Sequence, residues 1–156
     1  MLNASHRPLF FITEARREDL KEIYKIERES FKDPYPLNIL TVFLFLAPDL
    51  FLVAKTLHDR KVIGYIIGMV RRENVGHIVS LAVQQNFRRK GVASKLIEEL
   101  IKKFKKKSLS TVRLEVRLSN IPARRLYLKH GFMESYIIHG YYGDGEPCIT
   151  MFRFLE

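Results

Sequence analysis

Residues 76–100, G-H-I-V-S-L-A-V-Q-Q-N-F-R-R-K-G-V-A-S-K-L-I-E-E-L, decide the fold of this chain. The run 78–83 is apolar and rich in residues that favour strands, and it ends in polar Gln84. A basic turn containing Gly91 follows, and apolar residues then recur at helical spacing from Ala93 to Phe104. The stretch therefore predicts a strand, a basic loop and a long helix.

The junction between this strand and this helix is suited to an anion. The first backbone N–H groups of a helix have no partner inside it, and the helix dipole places about half a positive charge there. Arg88, Arg89 and Lys90 are expected to add mobile positive charge at the same place. Gly91 lacks a Cβ, so the main chain can approach phosphate oxygens closely. We therefore predict a phosphate-binding loop.

Composition limits the classes of function. The chain has 156 residues and one cysteine, Cys148, so neither a disulfide framework nor a zinc cluster of cysteines is expected. Without an apolar run of about 18 residues we expect no membrane span. The single cysteine suits a reducing cytosol, so a cytoplasmic location is predicted. The 27 basic and 17 acidic residues leave a net charge of +10, which attracts polyanions. The lysines at 102–107 are expected to be a solvated helix end rather than a dedicated RNA patch.

The order of local signals predicts one α/β domain. Residues 1–8 are expected to be a flexible leader, and the domain spans residues 9–156. Residues 37–46 suit either a strand or a helix, and we favour a helix. The whole pattern predicts a mixed, mostly antiparallel sheet of about six to seven strands with about four helices. The remaining segments comprise strands at 9–13, 50–54, 62–70, 111–116, 133–138 and 149–154, and helices before Pro34, after Gly91 and after Asn120.

Two polar side chains lie on strands where alternation predicts their faces. In R-L-E-V-R, Glu115 shares a face with Arg113 and Arg117, and it could be an exposed carboxylate paired with those arginines. His77 is expected to share a face with Val79, Leu81 and Val83, which also fits a histidine at the edge of the core.

Several motifs together resemble one family. R-R-K-G-V-A (residues 88–93) resembles the R/Q-x-x-G-x-G/A signature of the GNAT superfamily of acetyl-CoA-dependent N-acetyltransferases. L-E-V-R-L-S-N (114–120), L-Y-L-K-H-G-F (126–132) and Y-Y-G-D-G-E (141–146) follow in the family's order. G-H-I-V-S-L-A-V and Y-Y-G-D-G-E are most similar to protein N-terminal α-acetyltransferases of the NatA type and their archaeal relatives, with the bacterial RimI type next. The resemblance implies the GNAT fold for residues 9–155.

The resemblance also implies roles for individual residues. Glu115 matches the general base, His77 a residue that helps to remove the amine proton, and Tyr127 a residue near the cofactor sulfur, although Tyr127 could instead pack a helix face. Acetyl-CoA is the implied co-substrate, without a metal. Its implied binding residues are Leu81, Ala82, Val83, Arg88, Arg89, Lys90, Gly91, Val92, Ala93, Ser94, Asn120 and Tyr127.

The implied acceptor is the α-amine of a protein N-terminus. Asp33 and Tyr35, in F-K-D-P-Y-P, and Tyr141 and Tyr142 would form the walls of a peptide slot, or could be ordinary loop residues. Asp33 stands where NatA-like members have Glu. Small first residues such as Ser and Ala are expected, and Met-starting substrates as well. A ribosome or an auxiliary subunit is a further expected partner through the basic surface, but not a membrane or a specific nucleic acid. The alternatives are an acetyltransferase for lysines or small amines, and a non-catalytic acyl-CoA-binding or basic nucleic-acid-binding module.

Overall fold

The computed structural model describes residues 9–156, and the expected leader, residues 1–8, lies outside the described part. The described residues form seven strands and four α-helices, as the sequence predicts. In chain order these elements are β1 (Phe10–Glu14), α1 (Leu20–Ser30), α2 (Leu37–Leu46), β2 (Phe51–Thr56), β3 (Val62–Arg71), β4 (Val75–Val83), α3 (Val92–Lys106), β5 (Thr111–Arg117), α4 (Ile121–Lys129), β6 (Met133–Ile138) and β7 (Cys148–Phe154).

The strands form one sheet in the order β1-β2-β3-β4-β5-β7-β6. Neighbouring strands are antiparallel except β4 and β5, which run parallel. The expected mixed, mostly antiparallel sheet is therefore confirmed. None of the described helices combines the length and the apolar character needed to cross a membrane.

Each face of the sheet is covered by two helices. The amphipathic helix α3 packs Leu96, Leu100 and Phe104 against one face, where α4 adds Tyr127. On the other face α1 and α2 bury Ile23, Ile26 and Leu40. Burying an aliphatic side chain stabilises the fold by about 1.5–3 kcal/mol, so the two apolar layers hold both helix pairs on the sheet.

The helix predicted over residues 37–46 is confirmed. Pro36 directly precedes α2 and has an extended backbone, which separates this helix from α1. Leu40 is fully buried under the helix, whereas Phe45 is 85% exposed. Burial in this chain therefore does not account for the whole apolar sequence of α2, because Phe45, one of its largest side chains, faces solvent.

The central strand carries a β-bulge that the sequence does not reveal. Ile67 of β3 pairs with Ser80, and the next residue, Gly68, pairs with Ile78, so Val79 is left out of the ladder. Beyond the bulge the alternation of faces is inverted. Leu81 packs with the α3 side, whereas Val79 packs with the α1 side. The prediction that His77 shares a face with Leu81 and Val83 was therefore wrong.

Candidate active site

A cavity opens where β4 and β5 diverge. The two strands pair only over residues 75–77 of β4 and 111–113 of β5, and past that point they separate. The resulting cavity has a volume of about 470 Å³. It is bounded by β4, β5, α4, the segment between α1 and α2, and the β6–β7 loop, and the predicted residues that line it are Asp33, Tyr35, His77, Leu81, Glu115, Asn120, Tyr127, Tyr141 and Tyr142.

His77 and Glu115 form a hydrogen-bonded pair at the narrow end of this cavity. His77 Nε2 lies 2.9 Å from Glu115 Oε2, and each side chain is 13% exposed. Arg113, the register partner of His77, has its Nε 3.7 Å from Glu115 Oε1, which is beyond hydrogen-bond distance. Glu115 is therefore neither an exposed carboxylate nor paired mainly with arginine.

The surroundings keep Glu115 ionised. Burial alone raises the pKa of its carboxyl, but the hydrogen bond with His77, the charge of the His77 ring when it is protonated, and the charges of Arg113 and Arg71 outweigh burial and hold the pKa below its ordinary value. A carboxylate in a part-buried cavity that remains charged can accept a proton from a bound amine.

Tyr127 presents a phenol to the same cavity. The residue is 8% exposed, and its ring packs edge-on against Phe132 with the centroids 5.6 Å apart. Burial raises the pKa of Tyr127, so the phenol keeps its proton at neutral pH. Tyr127 therefore packs against Phe132 and also lines the cavity, where its phenol can donate a hydrogen bond.

The start of α3 has the features of an anion-binding loop. Gly91 is the N-cap residue with φ +84°, and no side chain caps the helix there. A Cβ built on Gly91 would meet nothing within 4 Å, so the approach to the first amides is open. These amides fit a pyrophosphate group such as that of coenzyme A.

Two side chains of this loop make hydrogen bonds to other parts of the fold. Arg88 donates from Nε to the backbone oxygen of Val83 at 2.9 Å, which ties the loop to the end of β4. Ser94 Oγ lies 2.9 Å from Nε2 of His130, at the end of α4, and burial lowers the pKa of this histidine. The expectation that Arg88 is a mobile cation was therefore wrong. Arg89 and Lys90 are exposed.

The β4 edge that faces β5 is available to an extended ligand. From Ile78 onward β4 pairs with β3 but not with β5, and Leu81 lines the cavity. Ala82 and Val83 are buried and do not line the cavity with their side chains, so only their backbone could take part. Asn120 lines it as well, with its side-chain oxygen accepting from Ala123 N at 3.2 Å as the cap of α4.

Across the cavity from the β4 edge, the α1–α2 segment and the β6–β7 loop form a wall that Arg117 holds together. Its guanidinium donates to Asp33 at 3.1 Å and to Asp144 and Glu146 at 3.0 Å each. It also lies 4.0 Å from the ring centroid of Tyr142. Asp33 additionally accepts from the Gly143 backbone at 3.3 Å, so the α1–α2 segment and the β6–β7 loop are joined.

The same wall carries the aromatic side chains predicted for the slot. Tyr141 and Tyr142 pack edge-on, 4.9 Å apart, and Tyr35 packs edge-on against Phe43, 5.2 Å apart. Burial is the main cause that raises the pKa of Tyr141 to about 12. The phenols therefore remain neutral and can serve as hydrogen-bond donors.

Glu27 is a functional candidate that the sequence reasoning missed. This α1 carboxyl is 1% exposed, lines the cavity and accepts from Ser80 Oγ at 2.9 Å. Burial raises its pKa to about 7, against small opposing effects of its hydrogen bonds. The sequence did contain a signal, because Glu27 shares the helical spacing of Ile23 and Phe31 and so falls on the apolar side of the helix. A carboxylate is rarely buried there unless it is paired or functional.

Comparison with known proteins now identifies the family. The sequence model of the Acetyltransferase (GNAT) family matches residues 19–132. The chain belongs to the GNAT acetyltransferase family. An N-alpha-acetyltransferase of Saccharolobus solfataricus is 35% identical to this GNAT protein over 159 residues, covering 92% of this chain and 92% of the relative.

Solved structures agree with this assignment. Ard1 from Thermoplasma volcanium superposes on this GNAT protein with a TM-score of 0.90 and 29% identity, covering 94% of this chain and 98% of Ard1. The NatC complex bound to Gag peptide and CoA contains a chain with a TM-score of 0.86 and 25% identity, covering 95% of this chain and 99% of that chain. The predicted GNAT fold is therefore confirmed.

Proposed function

We propose that the protein transfers the acetyl group of acetyl-CoA directly to the α-amine of protein N-termini. The observation that carries the proposal is the His77–Glu115 pair at the narrow end of a cavity with an open strand edge on one side and an aromatic peptide wall on the other. The relative from Saccharolobus solfataricus, named as an N-alpha-acetyltransferase, supports the choice of acceptor.

The proton chemistry of an α-amine suits this site. An α-ammonium with a pKa of about 8 costs about 1.4 kcal/mol to deprotonate at pH 7, whereas a lysine at about 10.4 costs about 5 kcal/mol. Glu115 stays ionised and is a weak base, so it is better matched to the smaller task. This difference favours protein N-termini over lysine side chains.

Each residue of the site has a defined task in this reaction. Glu115 takes the proton that the amine loses as its nitrogen attacks the thioester carbonyl. Tyr127, which burial keeps protonated, donates to the sulfur as the C–S bond breaks. The amides at the start of α3 would hold the pyrophosphate of acetyl-CoA, and the open edge of β4 would pair with its extended arm. The acetyl group passes from sulfur to nitrogen without an enzyme-bound intermediate.

The wall that includes Asp33 would contact the first residue of the substrate. Asp33 is shorter than the Glu of NatA-like members by one methylene, and it lines the cavity while bound to Arg117. An additional methylene of space changes binding by about 1–3 kcal/mol, which shifts preference without excluding a substrate. We therefore assign Ser and Ala N-termini as substrates together with larger, Met-starting ones.

Contact with a ribosome or an auxiliary subunit is a further part of the proposal. The net charge of +10 supports attraction to a polyanion. Part of the basic α3 end is paired internally, since Lys103 bonds Glu14 at 3.0 Å and Lys107 bonds Asp49 at 2.7 Å. The support therefore comes from the overall charge rather than from this lysine cluster. The single cysteine supports a cytoplasmic location.

The direct test is acetyl transfer to matched peptides. One set begins with Ser, Ala or Met and has a free N-terminus, and the second set has the same sequences with the N-terminus blocked. We expect transfer from acetyl-CoA only to the free set. Equal transfer to both sets would show that the α-amine is not the acceptor. Binding of acetyl-CoA without transfer to any peptide would favour the non-catalytic alternative.

A further inference from the structure

Arg71 connects a third strand to the His77–Glu115 pair. It is the last residue of β3, and its side chain crosses to β4, where Nε lies 3.0 Å from Nδ1 of His77. On the far side of the ring, His77 Nε2 lies 2.9 Å from Glu115 Oε2. The three side chains therefore form a continuous row of hydrogen bonds across β3, β4 and β5.

The chemistry of the groups fixes the direction of this row. A guanidinium is a donor only and stays protonated in proteins, so Arg71 must donate and His77 Nδ1 must accept. A neutral imidazole has one acceptor nitrogen and one N–H, so the hydrogen of His77 is on Nε2. That hydrogen is donated to the carboxylate of Glu115, and no lone pair of the ring is left for a substrate proton.

We propose that Arg71 is a positioning residue that holds His77 in its Nε2–H form, so that Glu115 alone receives the proton of the acceptor amine. The meaning of this row for catalysis rests on the proposed function. Arg71 falls within the residues that the GNAT family model matches, but it lies outside every motif quoted from the sequence. His77 acts through Glu115, which it orients.

The other charged and titratable groups around the ring are compatible with this arrangement. Glu115 and Arg113 face it from β5, and Tyr35 and Tyr141 face it from the two loops that close the cavity. Glu27 and Asp33 are the other carboxyls that line the cavity. The charge of Arg71 also reaches Tyr35, where it opposes the rise that burial causes in the pKa of that phenol. Arg71 itself is exposed and does not line the cavity, so it acts on the site through its contact with His77 and through its charge.

Nitrogen NMR on the full chain tests the proposal without any acetyl transfer. The chain has five histidines, so the His77 ring signals are assigned by their loss in His77→Gln. At about pH 8 an ordinary histidine, with a pKa of about 6.5, is neutral. We expect His77 in the wild type to show a protonated Nε2 and an unprotonated Nδ1. In Arg71→Gln, we expect the two nitrogens to shift toward a mixture of tautomers.

Arg72→Gln is the matched control, because it removes the same charge from the next, exposed residue. It should leave the His77 signals as in the wild type. The proposal is overturned if wild-type His77 carries its hydrogen on Nδ1, if it is an imidazolium, or if Arg71→Gln leaves both nitrogen signals unchanged. These outcomes do not depend on peptide acetylation, so a failure of the proposed function is seen separately.

Kinetics provide a second readout that a purely structural role would not change. Without Arg71, Nδ1 can take a proton, and the resulting cation would pair with Glu115 and weaken it as a base. We expect kcat of Arg71→Gln to fall about tenfold, the lower end of the loss seen when a group that orients a metal-bound histidine is removed. The acid limb of the pH profile should move to higher pH, and KM for acetyl-CoA should stay constant. An unchanged pH profile would contradict the proposal.

Discussion

His77 Nε2 and Glu115 Oε2 lie 2.9 Å apart at the point where β4 and β5 stop pairing. The parallel pairing brings the two strands together for three residues, and it places a histidine of one strand beside a carboxylate of the other. Because the ring donates to the carboxylate, the two side chains act as one unit rather than as two independent bases.

Removing the carboxylate should therefore cost more than removing the ring. We expect Glu115→Gln to lower kcat/KM at pH 7 by about 10²-fold, the lower end for a positioned base. The defect should shrink above about pH 8, where the α-amine is already neutral. The double variant with His77→Phe should be no slower than Glu115→Gln alone. The measurement is kcat/KM against pH for the four enzymes, and strictly additive losses would contradict a single unit.

The loop before α3 should control affinity for acetyl-CoA. Gly91→Val places a β-branched residue at φ +84°, which such residues rarely adopt, and adds a side chain in front of the first amides. We expect calorimetry to show loss of acetyl-CoA binding in a folded protein. Gly145→Val, at φ +86° in the β6–β7 loop, carries similar strain and should keep its affinity. Equal affinity in Gly91→Val and the wild type would show that this loop does not bind acetyl-CoA.

Local patterns were sufficient to predict most of this architecture. The strand, basic loop and helix at 76–100 follow from periodicity and a glycine, which act over a few residues. The alternation around Glu115 was also confirmed, because Leu114 and Val116 are buried on the opposite face of β5. The bulge at Val79 could not be predicted. It depends on the register with β3, which a continuous apolar run does not specify.

Glu27 should make stability depend on pH in an unusual direction. Its pKa is about 7 in the folded protein against an ordinary value of 4.5, so the folded state binds the proton more tightly than the unfolded state. The contribution of Glu27 to the free energy of unfolding is therefore largest below pH 4.5 and decreases as the pH rises to about 7. Because glutamine does not ionise, the Glu27→Gln variant should not lose this stability as the pH rises.

Denaturant unfolding at several pH values checks this expectation. Between pH 4.5 and 8, the free energy of unfolding of Glu27→Gln should rise relative to that of the wild type by up to about 3 kcal/mol. Both proteins share every other titrating group, so their difference isolates Glu27. Two parallel stability curves would show that Glu27 ionises in the folded protein as it does in the unfolded chain.

Asp33 should influence which first residues are accepted. In Asp33→Glu the added methylene extends into the cavity, so the ratio of kcat/KM for Ser- and Ala-starting peptides to that for Met-starting peptides should increase by about tenfold. Asp144→Glu is the control, because Asp144 bonds the same Arg117 but does not line the cavity. An identical ratio in Asp33→Glu and the wild type would show that Asp33 does not influence which first residues are accepted.

The contacts between segments that are distant in the chain could not be predicted from the sequence. Arg117 was predicted only as a neighbour of Glu115 on its strand, yet it joins Asp33 to the β6–β7 loop. Arg88 belonged to a recognisable motif, but its bond to the Val83 backbone depends on how the loop folds back. Such pairings depend on the tertiary fold, which the spacing of neighbouring residues does not specify.

One experiment decides whether the acceptor is an α-amine or a lysine side chain. A peptide with a free N-terminal Ser and one internal lysine is incubated at pH 7 with the protein and acetyl-CoA. Fragmentation in a mass spectrometer then locates the acetyl group. We predict acetylation of the α-amine with an unmodified lysine. Acetylation of the lysine with a free N-terminus would show that the acceptor is not the α-amine.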